Sequence, residues 1–103
     1  MIYVKKYDTE NGSIIALCDE ELLGKTLSDG NAKLDLDKYA EFYKGELVEE
    51  EKLKGMIDIS DIYSANIVGK RAVGIFLEKK IVKEKEVKRI RDVPFAQVYS
   101  IRY

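Results

Sequence analysis

Ile14-Ile15-Ala16-Leu17-Cys18 is the longest unbroken apolar run in the chain, and it constrains the fold more than any other feature. It is far too short to cross a bilayer, which takes about twenty apolar residues in a helix. A β-rich run that is apolar at successive positions is apolar on both faces, so it reads as a central strand. Ile2–Tyr7 is a second β-rich run, separated from the first by Asp8-Thr9-Glu10-Asn11-Gly12. An Asn-Gly pair tolerates positive φ and is a strong hairpin signal. The chain therefore begins with a strand, a tight turn and a central strand.

Shorter elements follow. Asp19-Glu20-Glu21-Leu22-Leu23-Gly24 reads as a helical turn capped by Asp19, with acids at its N-terminus and Gly24 closing it. Ser28-Asp29-Gly30-Asn31 is a turn into an alternating strand at Lys33–Leu36, and Phe42-Tyr43-Lys44-Gly45-Glu46 is aromatic and turn-like. Glu49-Glu50-Glu51 opens a helix to about Met56 that buries Leu53, Met56 and Ile57. The clearest helical period joins Val68, Ala72, Ile75, Phe76 and Lys79, with Asn66 placed to cap and a stop near Lys80. Glu86–Ile90, a turn at Arg91-Asp92-Val93-Pro94 and a final strand at Ala96–Arg102 complete the chain. This order predicts an α+β fold in one domain over residues 1–103. Its twisted mixed sheet combines the N-terminal hairpin with C-terminal strands, and helices pack on one face.

The residue inventory excludes most chemistry. The chain has 103 residues, 46% of them apolar and 36% charged, which suits one charge-rich globular domain and not a disordered one. There is no histidine, so no Ser-His or Cys-His nucleophilic pair and no ordinary neutral-pH acid or base. Cys18 is the only cysteine, and carboxylates alone would have to complete a zinc site around it. Asp19-Glu20-Glu21 and Glu49-Glu50-Glu51 sit at helix starts, where acids serve the dipole, and neighbours on a helix diverge by ~100°. No metal, cofactor or catalytic residue is expected. Cys18 reads as a small buried hydrophobe, and a lone cysteine with no signal-peptide layout suits the cytoplasm.

Charge is segregated along the chain. Residues 7–61 hold fifteen acids against six lysines, whereas residues 62–103 hold ten Lys/Arg against four acids. Such a chain can offer a basic surface to a polyanion and stay soluble. Lys79, Lys80, Lys83, Lys85, Lys88, Arg89 and Arg91 form the basic cluster, with Glu78, Glu84 and Glu86 interleaved. Phe95 and Tyr99 lie close by in sequence, and cations beside rings suit single-stranded or loop RNA. Lys70 and Arg71 extend the set of candidate nucleic-acid contacts. Ser64-Ala65-Asn66-Ile67-Val68-Gly69-Lys70-Arg71 lacks the first Gly and the final Ser/Thr of a P-loop. What remains is a generic candidate anion site at a helix N-terminus, made by Asn66, Gly69, Lys70 and Arg71. Its plain alternative is a capped helix with a solvated Lys-Arg pair.

Four segments carry a family resemblance: Leu17 to Lys25, Phe42-Tyr43-Lys44-Gly45-Glu46, Asn66-Ile67-Val68-Gly69 followed by Arg71-Ala72-Val73, and Val93-Pro94-Phe95-Ala96-Gln97-Val98. In this order the chain resembles the archaeal domain-of-unknown-function family 424 over nearly its whole length. The resemblance implies a small stand-alone cytoplasmic α+β protein near translation or RNA metabolism, without an assigned activity. Two positions depart from the family pattern, which tends to an acid where this chain has Lys70 and to a histidine where it has Phe95. The first means that Lys70 cannot anchor a family-wide phosphate site, and the second removes any catalysis that depends on that histidine and so favours a binding role. Gly69, Pro94 and Gln97 match the pattern and read as a tight helix entry, a rigid turn and a buried amide.

Three functions are therefore carried forward. The first is a non-catalytic module that binds RNA or a ribonucleoprotein through the basic half. The second is an adaptor whose acidic half docks on a basic translation-related protein, anchored by aromatics such as Phe42 and Tyr43. The third is a small ligand-binding domain or enzyme, which needs a concave pocket near Asn66–Arg71 and Phe95–Gln97.

Overall fold

In the computed structural model, which describes residues 1–57 and 62–99, the first two strands form the expected hairpin. β1 (Ile2–Thr9) pairs antiparallel with β2 (Gly12–Asp19), and Gly12 takes φ 126° just past the turn. A 3₁₀ turn at Glu20–Leu22 leads to a second hairpin of β3 (Thr26–Asp29) and β4 (Ala32–Asp35). The one-turn helix α1 (Ala40–Tyr43), β5 (Glu46–Val48) and α2 (Glu50–Met56) follow. Next come β6 (Ile62–Val68), α3 (Lys70–Glu78), a 3₁₀ turn at Glu84–Glu86, β7 (Lys88–Ile90) and β8 (Val93–Tyr99).

Six strands make one mixed sheet in the order β5-β1-β2-β6-β8-β7, with β3 and β4 apart as a two-stranded sheet. β2 is central, as its unbroken apolar run requires. It pairs antiparallel with β1 and parallel with β6. Among the described residues no helix is long and apolar enough to cross a membrane.

Strand β6 corrects the expectation that a helix begins at Asn66. Ile62-Tyr63-Ser64-Ala65-Asn66-Ile67-Val68 is a strand, and Asn66 is a ladder residue opposite Ala16 and Gln97. Val68 fits a 3.6-residue period and a two-residue period equally well, so periodicity misassigned it. Pairing on both sides decides the matter, and Gly69 at φ 110° turns the chain into α3. Ala72, Ile75 and Phe76 are buried as the helical period predicts, while Lys79 lies just past the end of α3, exposed.

The last turn also moves. Arg91 and Asp92 both take positive φ, 49° and 65°, in a two-residue hairpin loop that joins Ile90 to Val93. Positive φ at both central positions is the turn geometry that follows strand twist. Pro94 is consequently the second residue of β8 rather than part of a turn. Of the expected final strand, residues 100–102 lie outside the described residues, as does Asp61 before β6.

The sheet separates two apolar layers. Leu53 of α2 and Ala72, Val73, Ile75 and Phe76 of α3 pack with Ile15, Leu17, Ala65, Ile67 and Ala96. Met56, expected in the buried stripe of α2, is 45% exposed. Alternation sends Cys18 and Val68 to the opposite face, where they join Leu36, Leu34, Tyr43 and Phe95 under the β3–β4 hairpin and α1. Cys18 is a buried free thiol, and burial, then the charges of Asp19 and Glu21, push its pKa up to about 12.

Candidate functional site

At one end of the sheet, parallel β2 and β6 finish side by side, at Asp19 and Val68. Asp19 is only 2% exposed. Its side chain makes no capping bond to the adjacent 3₁₀ turn. It reaches instead to α3, where Oδ2 accepts the Arg71 amide at 3.0 Å and Oδ1 accepts the Ala72 amide at 2.9 Å. The expected cap thus serves a helix fifty residues downstream. Gly69 makes the approach possible, since a Cβ there would collide with the Asp19 carboxylate. Burial raises the Asp19 pKa above 3.8, and the two amide hydrogen bonds only partly oppose it.

These contacts answer the anion-site reading. The amides of Arg71 and Ala72 already hold an internal carboxylate, and the next, on Val73, bonds to the Gly69 carbonyl. Asn66 lies in β6, away from the cap position taken by Gly69. The Arg71 guanidinium bonds Glu21 at 2.6 and 2.9 Å and lies 3.9 Å from Asp19. Burial alone would raise the Glu21 pKa, but hydrogen bonds from its own amide and from Arg71 hold it below the ordinary value. Lys70 is exposed at the mouth of a cleft of about 320 Å³ that it lines with Asp19, Glu21, Leu22, Arg71, Val93 and Pro94. Three of the four segments carrying the family resemblance meet at this cleft. Its charges are largely consumed in holding β2 and the start of α3 together.

The basic cluster is dispersed by the fold. Lys79 and Lys80 close α3, roughly 14 Å along the helix from Lys70 at 1.5 Å rise per residue. Arg89 pairs with Glu84 at 2.9 Å, and the Arg91 Nε donates to the Ser28 carbonyl at 2.7 Å. No ion pair to another described residue joins Lys70, Lys79, Lys80 or Lys88.

Lys88, Phe95 and Tyr99 lie on one sheet face, with Tyr99 about 13 Å along β8 from the Lys88–Phe95 pair. Lys88 is opposite Phe95 in the ladder, and Phe95, Gln97 and Tyr99 alternate onto the same sheet face. Phe95 is half-buried in the second apolar layer, so it packs, whereas Tyr99 is 65% exposed. Gln97 corrects the expectation of a buried amide. It is exposed, and its Nε2 donates to Asn66 Oδ1 at 3.0 Å across the β6–β8 ladder.

Next to this pair lies a cleft of about 420 Å³ between the β3–β4 hairpin, α1 and the sheet, with Tyr39, Phe42 and Tyr43 among its walls. The Phe42 ring stacks on Tyr7, with centroids 5.2 Å apart and planes within 10°, and meets Tyr43 edge-on at 5.1 Å. The Tyr7 hydroxyl donates to the Phe42 carbonyl at 2.8 Å, which holds α1 against β1. Tyr39 and the Asn66–Gln97 pair were missed from sequence. The alternation of Phe95, Gln97 and Tyr99 in one strand was the available signal for Gln97.

These features define a single-domain α+β protein with a mixed sheet, one face of which is partly open. The chain belongs to the family described as Protein of unknown function (DUF424), whose model matches residues 7–101. Its fold is similar to that in the crystal structure of an uncharacterized conserved protein from Methanopyrus kandleri. That structure is 23% identical, with a TM-score of 0.75, over 99% of this chain and 93% of that one. No match was found among curated proteins.

Proposed function

We propose that this protein is a non-catalytic module that binds single-stranded or loop RNA, free or in a ribonucleoprotein, in the setting of translation or RNA metabolism. The observation that carries the reading is the shared sheet face of Lys88, Gln97 and Tyr99, with Asn66 bonded to Gln97. An exposed ring offers a base something to stack on, and a lysine about 13 Å along the same face offers a phosphate a partner. This moves the expected contact region from the whole stretch Lys79–Arg91 to the face of β8. Lys79 and Lys80, at the far end of α3, serve the helix dipole in this reading.

Filter binding to archaeal ribosomal and transfer RNA tests it. Lys88 as one phosphate contact predicts binding roughly two- to threefold weaker when salt rises from about 50 to about 200 mM. Lys88→Ala weakens binding of all RNAs alike. The absence of salt-sensitive retention overturns the reading.

A further inference from the structure

We infer that the cleft between α1, the β3–β4 hairpin and the sheet is a pocket for one unpaired nucleobase, whose edge is read by Asn66 and Gln97. The inference rests on the RNA-binding reading and adds a base-selective site to it. The cleft, at about 420 Å³, lies within the roughly 300–1,000 Å³ typical of small-molecule sites. Tyr39, Phe42 and Tyr43 supply flat apolar surface, and the stacked Tyr7 fixes the Phe42 ring from behind. Planar rings of this kind suit a planar ligand and tolerate any base.

Selectivity comes from the amides. Each side-chain amide has two N–H donors and a carbonyl with two lone pairs. The bond between Gln97 Nε2 and Asn66 Oδ1 consumes one donor and one lone pair and fixes the two groups relative to each other. Both Asn66 donors, one Gln97 donor and most of the Gln97 carbonyl's capacity remain, since the Tyr99 hydroxyl approaches that carbonyl only at 3.5 Å. Adjacent donors and acceptors are what the edge of a base presents, as in pairing of Asn or Gln with adenine.

Charge argues against other occupants. Lys33 at the rim lies 3.7 Å from Asp35, and Asp35 accepts from Thr26 and from the amides of Asp37 and Lys38. The cleft therefore has no concentration of positive charge for a phosphate. Among the described residues no cluster of three acids or cysteines exists to hold a metal ion.

The experiment measures binding of twelve-nucleotide poly(A), poly(C), poly(G) and poly(U) to the full chain, by fluorescence anisotropy at low salt. The wild type is expected to prefer one homopolymer over the weakest by at least about tenfold. Gln97→Ala, at an exposed position, should lower affinity for the preferred one about fivefold or more and level the four. Lys88→Ala should weaken all four equally. A circular dichroism melt verifies that both variants fold. If the four bind but Gln97→Ala leaves their order and affinities intact, the base pocket is overturned and RNA binding stands. If none binds, the RNA reading fails first, and the pocket with it.

Discussion

Replacing Asp19 with alanine tests the contact that ties the central strand to α3. The substitution removes two charge-assisted hydrogen bonds, at 3.0 and 2.9 Å, from a side chain 2% exposed. Loss of an N-terminal helix cap costs about 0.5–2 kcal/mol. Leaving a buried amide unsatisfied costs about 1–3 kcal/mol. The neighbouring cleft admits water to part of the gap, so the combined loss should be about 2–3 kcal/mol rather than the full sum. At about 4–8 °C per kcal/mol for a domain near this size, the melting temperature should fall by about 8–24 °C. Urea unfolding followed by circular dichroism measures the loss directly. Asp19→Asn keeps one acceptor and should lose about 1 kcal/mol. Gly69→Ala displaces the same carboxylate, but backbone strain at φ 110° and the Cβ left at position 19 persist without it, so the double variant should be only partly less than additive. A change below about 0.5 kcal/mol in Asp19→Ala, or strict additivity with Gly69→Ala, refutes the reasoning.

Protonation gives the same residue a second signature. Because burial raises the Asp19 pKa in the fold, its contribution to stability is greatest below the unfolded value of 3.8 and declines as pH rises through the folded value. The stability difference between wild type and Asp19→Asn should therefore widen as pH falls from neutral, and a difference that narrows contradicts the assignment. Asp35 behaves oppositely. The Lys38 amide, against a smaller effect of burial, holds its pKa below 3.8 with help from Thr26, so its stabilisation is present above that value and lost as pH falls through the folded one. Asp35→Asn should flatten that acid limb in a pH series of urea melts. Cys18, with its pKa near 12, should resist iodoacetamide at pH 8 until the protein unfolds, and labelling in the native state at the rate of a free thiol would refute its burial.

The parts of the fold legible in the sequence were those whose signal is local. Ile14–Cys18 could only be a central strand, and the turn before Gly12 could only join it to β1. The apolar stripe of α3 gave Ala72, Ile75 and Phe76 correctly because helical burial repeats along one element. What failed depended on distant partners. Asn66 is a good cap residue by type, but β2 and β8 recruit it into a ladder. Asp19 is equally good beside its own 3₁₀ turn, yet the end of β6 brings a better set of amides within reach. Arg91-Asp92 lacks the glycine or asparagine expected of its turn, so a two-residue loop was read as a four-residue turn that took in Val93 and Pro94. The candidate site shows the same division. Phe95, Gln97 and Tyr99 share a face through simple alternation, which sequence can show, whereas Lys88 joins them only through the β7–β8 register. The Asn66–Gln97 pair spans two strands, and the aromatic wall comes from α1, so neither was visible before the sheet order was known.

Ultraviolet cross-linking of bound RNA, with the modified peptides located by mass spectrometry, tests the central claim most directly. Adducts at Tyr99 and on the Tyr39–Tyr43 segment are the expected result, lost when salt releases the RNA. Adducts confined to Lys79–Lys85 at the far end of α3, or none at all, would contradict RNA binding through this sheet face.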